Sequence, residues 1–441
     1  MLKNIFNPKS VALIGASEEP KTVGSGIALN LLSGKRKIFF VNPNKQKVFN
    51  KKTYKSILDI KEGIDLAILA VPSSIVNDIA RECASKKVKG VIVISAGFSE
   101  VGNNEKEEEL KQILKDIPLI GPNCLGIINT KAKLNASFAP FTPKKGNIAL
   151  LSQSGAIIDS IIDIAKNETY GFSKIISFGN EAGVDLSDYL DYLGKDNDTK
   201  VVAMYLEGIK NGRKFLEVAK KVSKIKPVIV LKSGKSNLGQ KAALTHTGSL
   251  AGNAKIYSSI FKQTGVIEVD SIEELLDSSK VLAWTNKCKN GVGIITNGGG
   301  FGVLASDYFY NENIKIPKLN KETLKLLDNS LMAKVKIKSN PLDVIGDALA
   351  DRYEAGIEAL IKQKDIHCLL IIQGMQIMTE PEKTAKIIVK LHRKYEKPIV
   401  CSFVGGESLK KAVSILEKNK VPNIVEIKRA VKVIKNLTYE K

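Results

Sequence analysis

Short apolar runs rich in valine and isoleucine recur along the chain, separated by segments of helical length. The first set is SVALIGAS (10–17), KIFFVN (37–42), DLAILAVP (65–72), GVIVISAG (90–97) and IPLIGPN (117–123). Runs without a polar face suit strands buried on both sides, and their alternation with helices points to a parallel sheet covered on both faces. The pattern then returns twice. GNIALLSQSGA (146–156), KIISFGN (174–180), VVAMYLEGI (201–209) and KPVIVLKSGKS (226–236) form a second set; GVGIITNGGG (291–300), HCLLIIQGM (367–375) and KPIVCSFVGGES (397–408) form a third. IALLSQSGA lines up with VGIITNGGG, and PVIVLKSGKS with PIVCSFVGGES, which reads as a duplicated α/β unit. A length of 441 residues accommodates about three domains. The divisions are 1–128, 146–287 and 288–441, and the proline-bearing stretch LNASFAPFTPKKG (134–146) marks 129–145 as a linker.

Composition narrows the function classes. The net charge of +21 attracts anionic ligands and acidic partners, but lysines are spread from Lys3 to Lys441 and aromatics are only 6%, so nucleic-acid binding is not indicated. No apolar run reaches about 18 residues, and the N-terminus lacks a signal-peptide pattern, so the chain reads as a soluble cytoplasmic protein without a membrane span. Five scattered cysteines without CxxC spacing support neither a disulfide framework nor a zinc site.

The turns after the strands carry the chemistry. Gly15, Gly24 and Gly26 are too far apart for a GxGxxG fingerprint, and the second strand ends FFVNPNK rather than in an acid, so a phosphate-bearing nucleotide tail fits better than NAD. AVPSS (70–74), ISAGFSE (94–100) and GPNCLG (121–126) would meet at the same sheet edge, where open α/β sheets bind ligands. A thiol nucleophile at Cys124 would lack a histidine in its own domain. In LLSQSGAIIDSIIDIA (150–165), Ser154, Gly155 and Ala156 open an amphipathic helix whose unpaired N–H groups and positive dipole end suit a phosphate. A nucleophilic Ser154 is the other reading, weakened by Ser152 where GxSxG requires glycine.

His246 is one of three histidines and sits in KAALTHTGSLAG (241–252). It could act as a general base, cap a local turn, or carry a phosphoryl group. Thr247, Gly248, Ser249 and the turn at 154–156 would supply donors for that group. Glu207 could orient the ring through its other N–H. The later copy has Gln373 in place of Glu207 and no matching histidine, so neither residue is required to build the fold.

Taken in order, IGASEEPKTVG, GPNCLGIIN, LLSQSGA, YLEGI, KSGKS, THTGSLAG and NPLDVIGDA (340–348) resemble the α subunit of ADP-forming acyl-CoA synthetases, relatives of succinyl-CoA synthetase. The resemblance implies a Rossmann-like CoA-binding domain followed by two flavodoxin-like ligase domains. It implies that His246 is phosphorylated, that Glu207 is its partner, and that Ser154, Gly155 and Ala156 bind phosphate beside Thr247 and Gly248. It further implies CoA contacts at Gly15, Ala16, Ser17, Asn42, Pro43, Val71, Pro72, Ser95, Ala96, Gly97, Asn123 and Cys124. The implied reaction is acyl-CoA + ADP + phosphate ⇌ carboxylic acid + CoA + ATP, through acyl phosphate and phosphohistidine. The family's ATP-grasp part, which binds ADP/ATP and Mg²⁺, has no counterpart here, nor is there a GxxxxGK[ST] loop, so a separate β subunit in an α2β2 assembly is expected. A CoA-binding regulatory protein of the same fold is the alternative, and the His246–Glu207 pair argues against it.

Overall fold

The computed structural model of the protein describes residues 2–241, 253–330, 335 and 338–439. The chain divides into two compact units, Met1–Ile272 and Glu273–Lys441. Among the described residues no helix is long and apolar enough to cross a membrane.

The first unit holds two sheets. The first comprises β1 (Ser10–Ile14), β2 (Lys37–Val41), β3 (Lys47–Val48), β4 (Lys51–Tyr54), β5 (Leu66–Leu69), β6 (Val91–Val93) and β7 (Leu119–Ile120). Their order is β3-β4-β2-β1-β5-β6-β7, and every pairing except β3 with β4 is parallel. Every residue of β1 and β5 is buried, as strands without a polar face require. From β1 the chain runs first to β2 on one side and later to β5 on the other, so the order reverses there and opens a crevice beyond the strand ends. The result is a Rossmann-like domain.

The second sheet comprises β8 (Gly126–Asn129), β9 (Leu134–Ser137), β10 (Lys145–Ser152), β11 (Phe172–Ser177), β12 (Val201–Leu206), β13 (Val228–Lys232) and β14 (Ile267–Val269). Its order is β14-β13-β12-β10-β11-β8-β9. The five strands from β10 onward are parallel in the flavodoxin-like order, and the β8–β9 hairpin adds an antiparallel edge beside β11.

That hairpin corrects the reading of 129–145 as a linker, because Leu134–Ser137 is a fully buried strand. Leu134 and Ala136 pack into the core, while Asn135 and Ser137 bond one another and Asn135 reaches Thr142. The helix Val23–Leu32 lies against it, and Asn30 Nδ2 donates to the carbonyls of Ser137 and Ala139, both at 2.9 Å. Leu13 and Phe40 of the first fold share one apolar core with Leu151 and Ile176 of the second.

The second unit contains β15 (Cys288–Lys289), β16 (Val292–Thr296), β17 (Leu342–Asp343), β18 (Cys368–Gly374), β19 (Ile399–Val404) and β20 (Thr438–Tyr439). Four of them form a parallel sheet in the order β17-β16-β18-β19, the flavodoxin-like order again, and β15 pairs with β20. The helix Ile272–Trp284 belongs with this unit rather than before a boundary at 287/288. Its Lys280 makes a buried 2.8 Å ion pair with Glu417, and its Asp277 pairs with Arg429 at 2.7 Å.

The turns after β10 and β16 repeat each other closely. Ser152 Oγ donates to the carbonyl of Ser154 and accepts from its N–H, as Thr296 Oγ1 does with Gly298. Gln153 Oε1 accepts from the N–H groups of Glu207 and Gly208, and Asn297 Oδ1 accepts at 2.9 Å from that of Gly374, which the strand register sets at the place of Glu207.

Candidate functional site

The sequence placed its candidates at strand ends, and the first unit gathers several of them around one cleft. After β1, the chain turns at Gly15 with φ of +87°. A Cβ on Gly15 would lie 2.1 Å from the carbonyl oxygen of Ala70, and one on Gly24 would lie 2.1 Å from that of Gly15. These two glycines therefore let the first turn, the end of β5 and the helix at 23–32 approach each other, although their spacing matches no nucleotide fingerprint. Asn42, after β2, donates from Nδ2 to the carbonyl of Ala16 at 2.8 Å and accepts from Asn44 N–H at 2.9 Å, tying two adjacent turns together. Ser95 Oγ donates to the carbonyl of Val71 at 2.5 Å, and its own carbonyl accepts from Asn123 N–H at 2.9 Å. These bonds fix the ends of β5, β6 and β7 in one layer.

A cleft of about 480 Å³ lies beyond these turns. Val71, Pro72, Ser95, Ala96, Asn123 and Cys124 line it, together with Gly155 from the second fold. Val23, Ala70, Ile94, Leu125 and Phe138 add its apolar wall; Leu125 falls within the GPNCLG turn, whereas nothing in the local sequence singled out Phe138. Gly15, Ala16, Ser17, Asn42, Pro43 and Gly97 occupy the same sheet edge without lining this cleft. Cys124 is buried, donates from Sγ to the carbonyl of Val93 at 3.3 Å, and is pushed up to about 12 by burial. A thiol held neutral in this way is no nucleophile.

Across the cleft, the helix Gly155–Ala165 begins at the end of β10. Ser154 caps it by accepting from Ile157 N–H, a bond type worth about 1 kcal/mol. The Ser154 N–H does not face outward as its position suggested: it donates to Ser152 Oγ at 3.1 Å. Gly155 and Ala156 stand in the first helical turn, where backbone N–H groups have no intrahelical acceptor.

Glu207 follows β12, the strand beside β10, and is only 7% exposed. Gln153 joins the two strand ends by accepting from the N–H groups of both Glu207 and Gly208. Lys232, the last residue of β13, was not marked by its sequence, because a lysine ending an apolar run ordinarily reaches solvent. Here it is 3% exposed, donates to the carbonyl of Glu207 at 2.8 Å and to that of Ser233, and lies 4.7 Å from the centre of the Tyr257 ring. Burial pushes its ammonium down to about 8, with the Glu207 carboxylate pulling the other way. In the second unit the matching strand position is Phe403, which pairs with Gln373 as Lys232 pairs with Leu206; the register thus sets Gly374 at the place of Glu207, and both charged groups are peculiar to the first copy.

His246, Thr247 and Gly248 lie outside the described residues. Among the described residues no cluster of three or more histidine, cysteine or acidic side chains is placed to hold a metal ion.

Known proteins share this architecture. The chain matches the family models of a CoA binding domain over residues 9–130, a succinyl-CoA ligase like flavodoxin domain over 145–282, and a ligase-CoA domain over 292–436. It is 46% identical over 443 residues to the ADP-forming acetate–CoA ligase of Methanocaldococcus jannaschii, covering 99% of this chain and 63% of that protein. It thus spans less than two thirds of that relative, and likewise 63% of a 41% identical ligase from Archaeoglobus fulgidus. The ADP-forming acetate–CoA ligase II subunit alpha of Pyrococcus furiosus is 40% identical, with 96% of this chain and 94% of that subunit covered. A solved structure of the dinucleotide-forming acetyl-coenzyme A synthetase 1 of Candidatus Korarchaeum cryptofilum, in complex with phosphate and ADP, superposes with a TM-score of 0.94. It is 36% identical, with 99% of this chain and 96% of that chain covered. With these three family models matched along its length and a near full-length match to an α subunit, the chain belongs to the ADP-forming acetate–CoA ligase α-subunit family of the succinyl-CoA synthetase superfamily.

Proposed function

We propose that the protein catalyses acyl-CoA + ADP + phosphate ⇌ carboxylic acid + CoA + ATP, with residues 1–128 holding CoA and residues 146–287 carrying the phosphohistidine. The observation that carries this reading is a cleft lined both by strand ends of the first fold and by Gly155 at a helix start of the second. A CoA thioester seated on the first would present its carbonyl to a phosphate seated on the other.

A phosphate oxygen attacks the thioester carbon, the C–S bond breaks, and CoA leaves as the thiol. The acyl phosphate then transfers its phosphoryl group to a ring nitrogen of His246, releasing the carboxylate. Finally ADP takes the phosphoryl group from the histidine. The first-turn N–H groups of Gly155 and Ala156 offer preorganised donors to phosphate oxygens, with Ser154 holding the helix start and Thr247 and Gly248 assigned to the same group. Glu207 is assigned to orient the imidazole, and Lys232 holds the Glu207 peptide in place. Splitting the transfer through a covalent intermediate leaves mainly positioning and charge neutralisation to the protein.

CoA contacts are assigned to Gly15, Ala16, Ser17, Asn42, Pro43, Val71, Pro72, Ser95, Ala96, Gly97, Asn123 and Cys124, the last through its backbone. Nucleotide and Mg²⁺ are assigned to an ATP-grasp β chain in an α2β2 assembly in the cytoplasm. In support, the two Pyrococcus furiosus relatives matched over 94% and 97% of their length are themselves named α subunits.

The test combines the chain with the ATP-grasp chain and measures acid- and CoA-dependent ATP consumption over a panel of carboxylic acids. The expected result is turnover by the pair, none by either chain alone, and none by a pair carrying His246→Asn. Full turnover by that variant would overturn the reading.

A further inference from the structure

The turn after β11 holds a polar side chain that the reaction above does not use. Asn180 comes from the second fold, yet most of its partners belong to the first. Its Nδ2 donates to Glu100 Oε2 at 2.5 Å, Glu107 Oε2 at 2.9 Å and Ser99 Oγ at 3.2 Å. Its Oδ1 accepts from Asn123 Nδ2 at 3.2 Å, and its N–H donates to the carbonyl of Pro122 at 3.0 Å. Its own carbonyl accepts from Lys210 Nζ at 2.6 Å.

These contacts reach both halves of the candidate site. Glu100 accepts from the N–H groups of Gly97 and Phe98, and so shapes the loop that follows Ser95 and Ala96 in the cleft wall. Asn123 lines the same cleft. Lys210 stands three residues beyond Glu207, in the segment that Gln153 fastens to the phosphate-side helix. Two carboxylates, one of them on the nearly buried Glu107, converge on a single amide, and Lys210 lies 3.8 Å from Glu107. Without the amide, Glu100 Oε2 would keep the Phe98 N–H and Glu107 Oε2 the N–H and hydroxyl of Ser99, but no shared donor would stand between the two like charges, which favours their separation.

We propose that Asn180 is a positioning residue for thioester cleavage, holding the 95–100 loop and Asn123 in register with the strand end that carries Glu207. The inference rests on the ligase reading above and adds to it a division of labour. Thioester cleavage needs both sides of the cleft aligned at once, whereas transfer from acyl phosphate to His246 needs only the second fold. A misplacement of about 1 Å between reacting groups is enough to cost roughly a hundredfold in rate.

The experiment uses the full chain with its ATP-grasp partner, nucleotide omitted, and the acyl group that the wild type accepts best. Two half-reactions are followed: phosphate-dependent release of CoA from the thioester, and phosphorylation of His246 by the acyl phosphate. Asn180→Ala is expected to slow the first at least tenfold and to change the second less than about twofold. Lys210→Met, a milder lesion in the same network, is expected to lower the first in the same direction.

Asn180→Asp supplies a pH signature. The new carboxyl faces Glu100, Glu107 and Lys210, with Glu181 beside it in the chain. When protonated it donates to a neighbouring carboxylate; when ionised it repels both. Its CoA-release rate relative to wild type should therefore fall as pH rises from 5 to 8. Equal losses in both half-reactions, no loss in either, or a pH-independent ratio would refute the role assigned to Asn180. A wild type inert in both half-reactions would instead sink the ligase reading itself.

Discussion

Glu207 and Lys232 show how much a residue's meaning depends on its neighbours. Glu207 could be picked out from sequence because aligning YLEGI with IIQGM sets the uncharged Gln373 against it; the strand register sets Gly374 there, and in either case the fold needs no carboxylate at that place. Glu207→Gln should accordingly leave the melting temperature near its wild-type value while lowering His246 phosphorylation by roughly 10²–10⁴-fold, the range of a lost acid–base or orienting group. Quench-flow measurement of the phosphoenzyme with acyl phosphate checks it. Lys232 could not be read in the same way, because its burial is made by the Glu207 carbonyl and the Tyr257 ring, which lie 25 residues away in opposite directions along the chain. Its ammonium is held at about 8 against an ordinary 10.5. Between those values the unfolded chain binds the proton and the folded one has released it, so the residue's contribution to stability rises with pH through that window. Lys232→Met should remove this increment and melt no lower than wild type at pH 7, while phosphoryl transfer falls at least tenfold. Calorimetric melting at pH 7 and pH 9.5, set beside phosphoenzyme formation, separates the two effects.

At the level of elements, what the site needs is close approach between pieces of backbone. The helix at 23–32 sits against the first turn because Gly24 meets the Gly15 carbonyl without a side chain between them. Gly24→Ala would drive a Cβ to 2.1 Å from that oxygen, forcing the helix off both the turn and β9. A loss of about 1–3 kcal/mol in stability is expected, with CoA affinity at least tenfold weaker by titration calorimetry. Unchanged affinity would show that the helix start lies outside the CoA site. The element that sequence reasoning missed is β9. LNAS alternates apolar and polar residues as a strand does, but Pro140 and Pro143 just beyond it and its short length made it read as linker. Its polar face is silent in the sequence because Asn135, Ser137 and Asn30 are satisfied by one another and by backbone groups brought from elsewhere. The strand-end turns, by contrast, were legible from glycine and small polar residues, since such turns need conformations that local chemistry alone selects.

At the scale of the whole molecule, the two compact units make a prediction about where the chain can be cut. A fragment beginning at Glu273 keeps the helix carrying Lys280, whereas one beginning at Cys288 deprives the buried Glu417 of its ion-pair partner. Breaking a buried pair from one side costs about 3–5 kcal/mol. The shorter fragment should therefore be poorly folded by circular dichroism and the longer one cooperative in urea. CoA should raise the unfolding transition of the 1–272 fragment alone, by about 2.7 kcal/mol at a hundred times its dissociation constant. Three parallel α/β folds, the duplication of one of them and the turns that gather at the strand ends were all written in the chain, because buried strands demand unbroken apolar runs and tight turns demand particular residues. Which strand ends share one cleft, that Lys232 lies buried, and that Asn180 gathers two carboxylates were decided only by tertiary structure. Those contacts join residues from dozens to more than a hundred positions apart, and no local propensity encodes a distance of that kind.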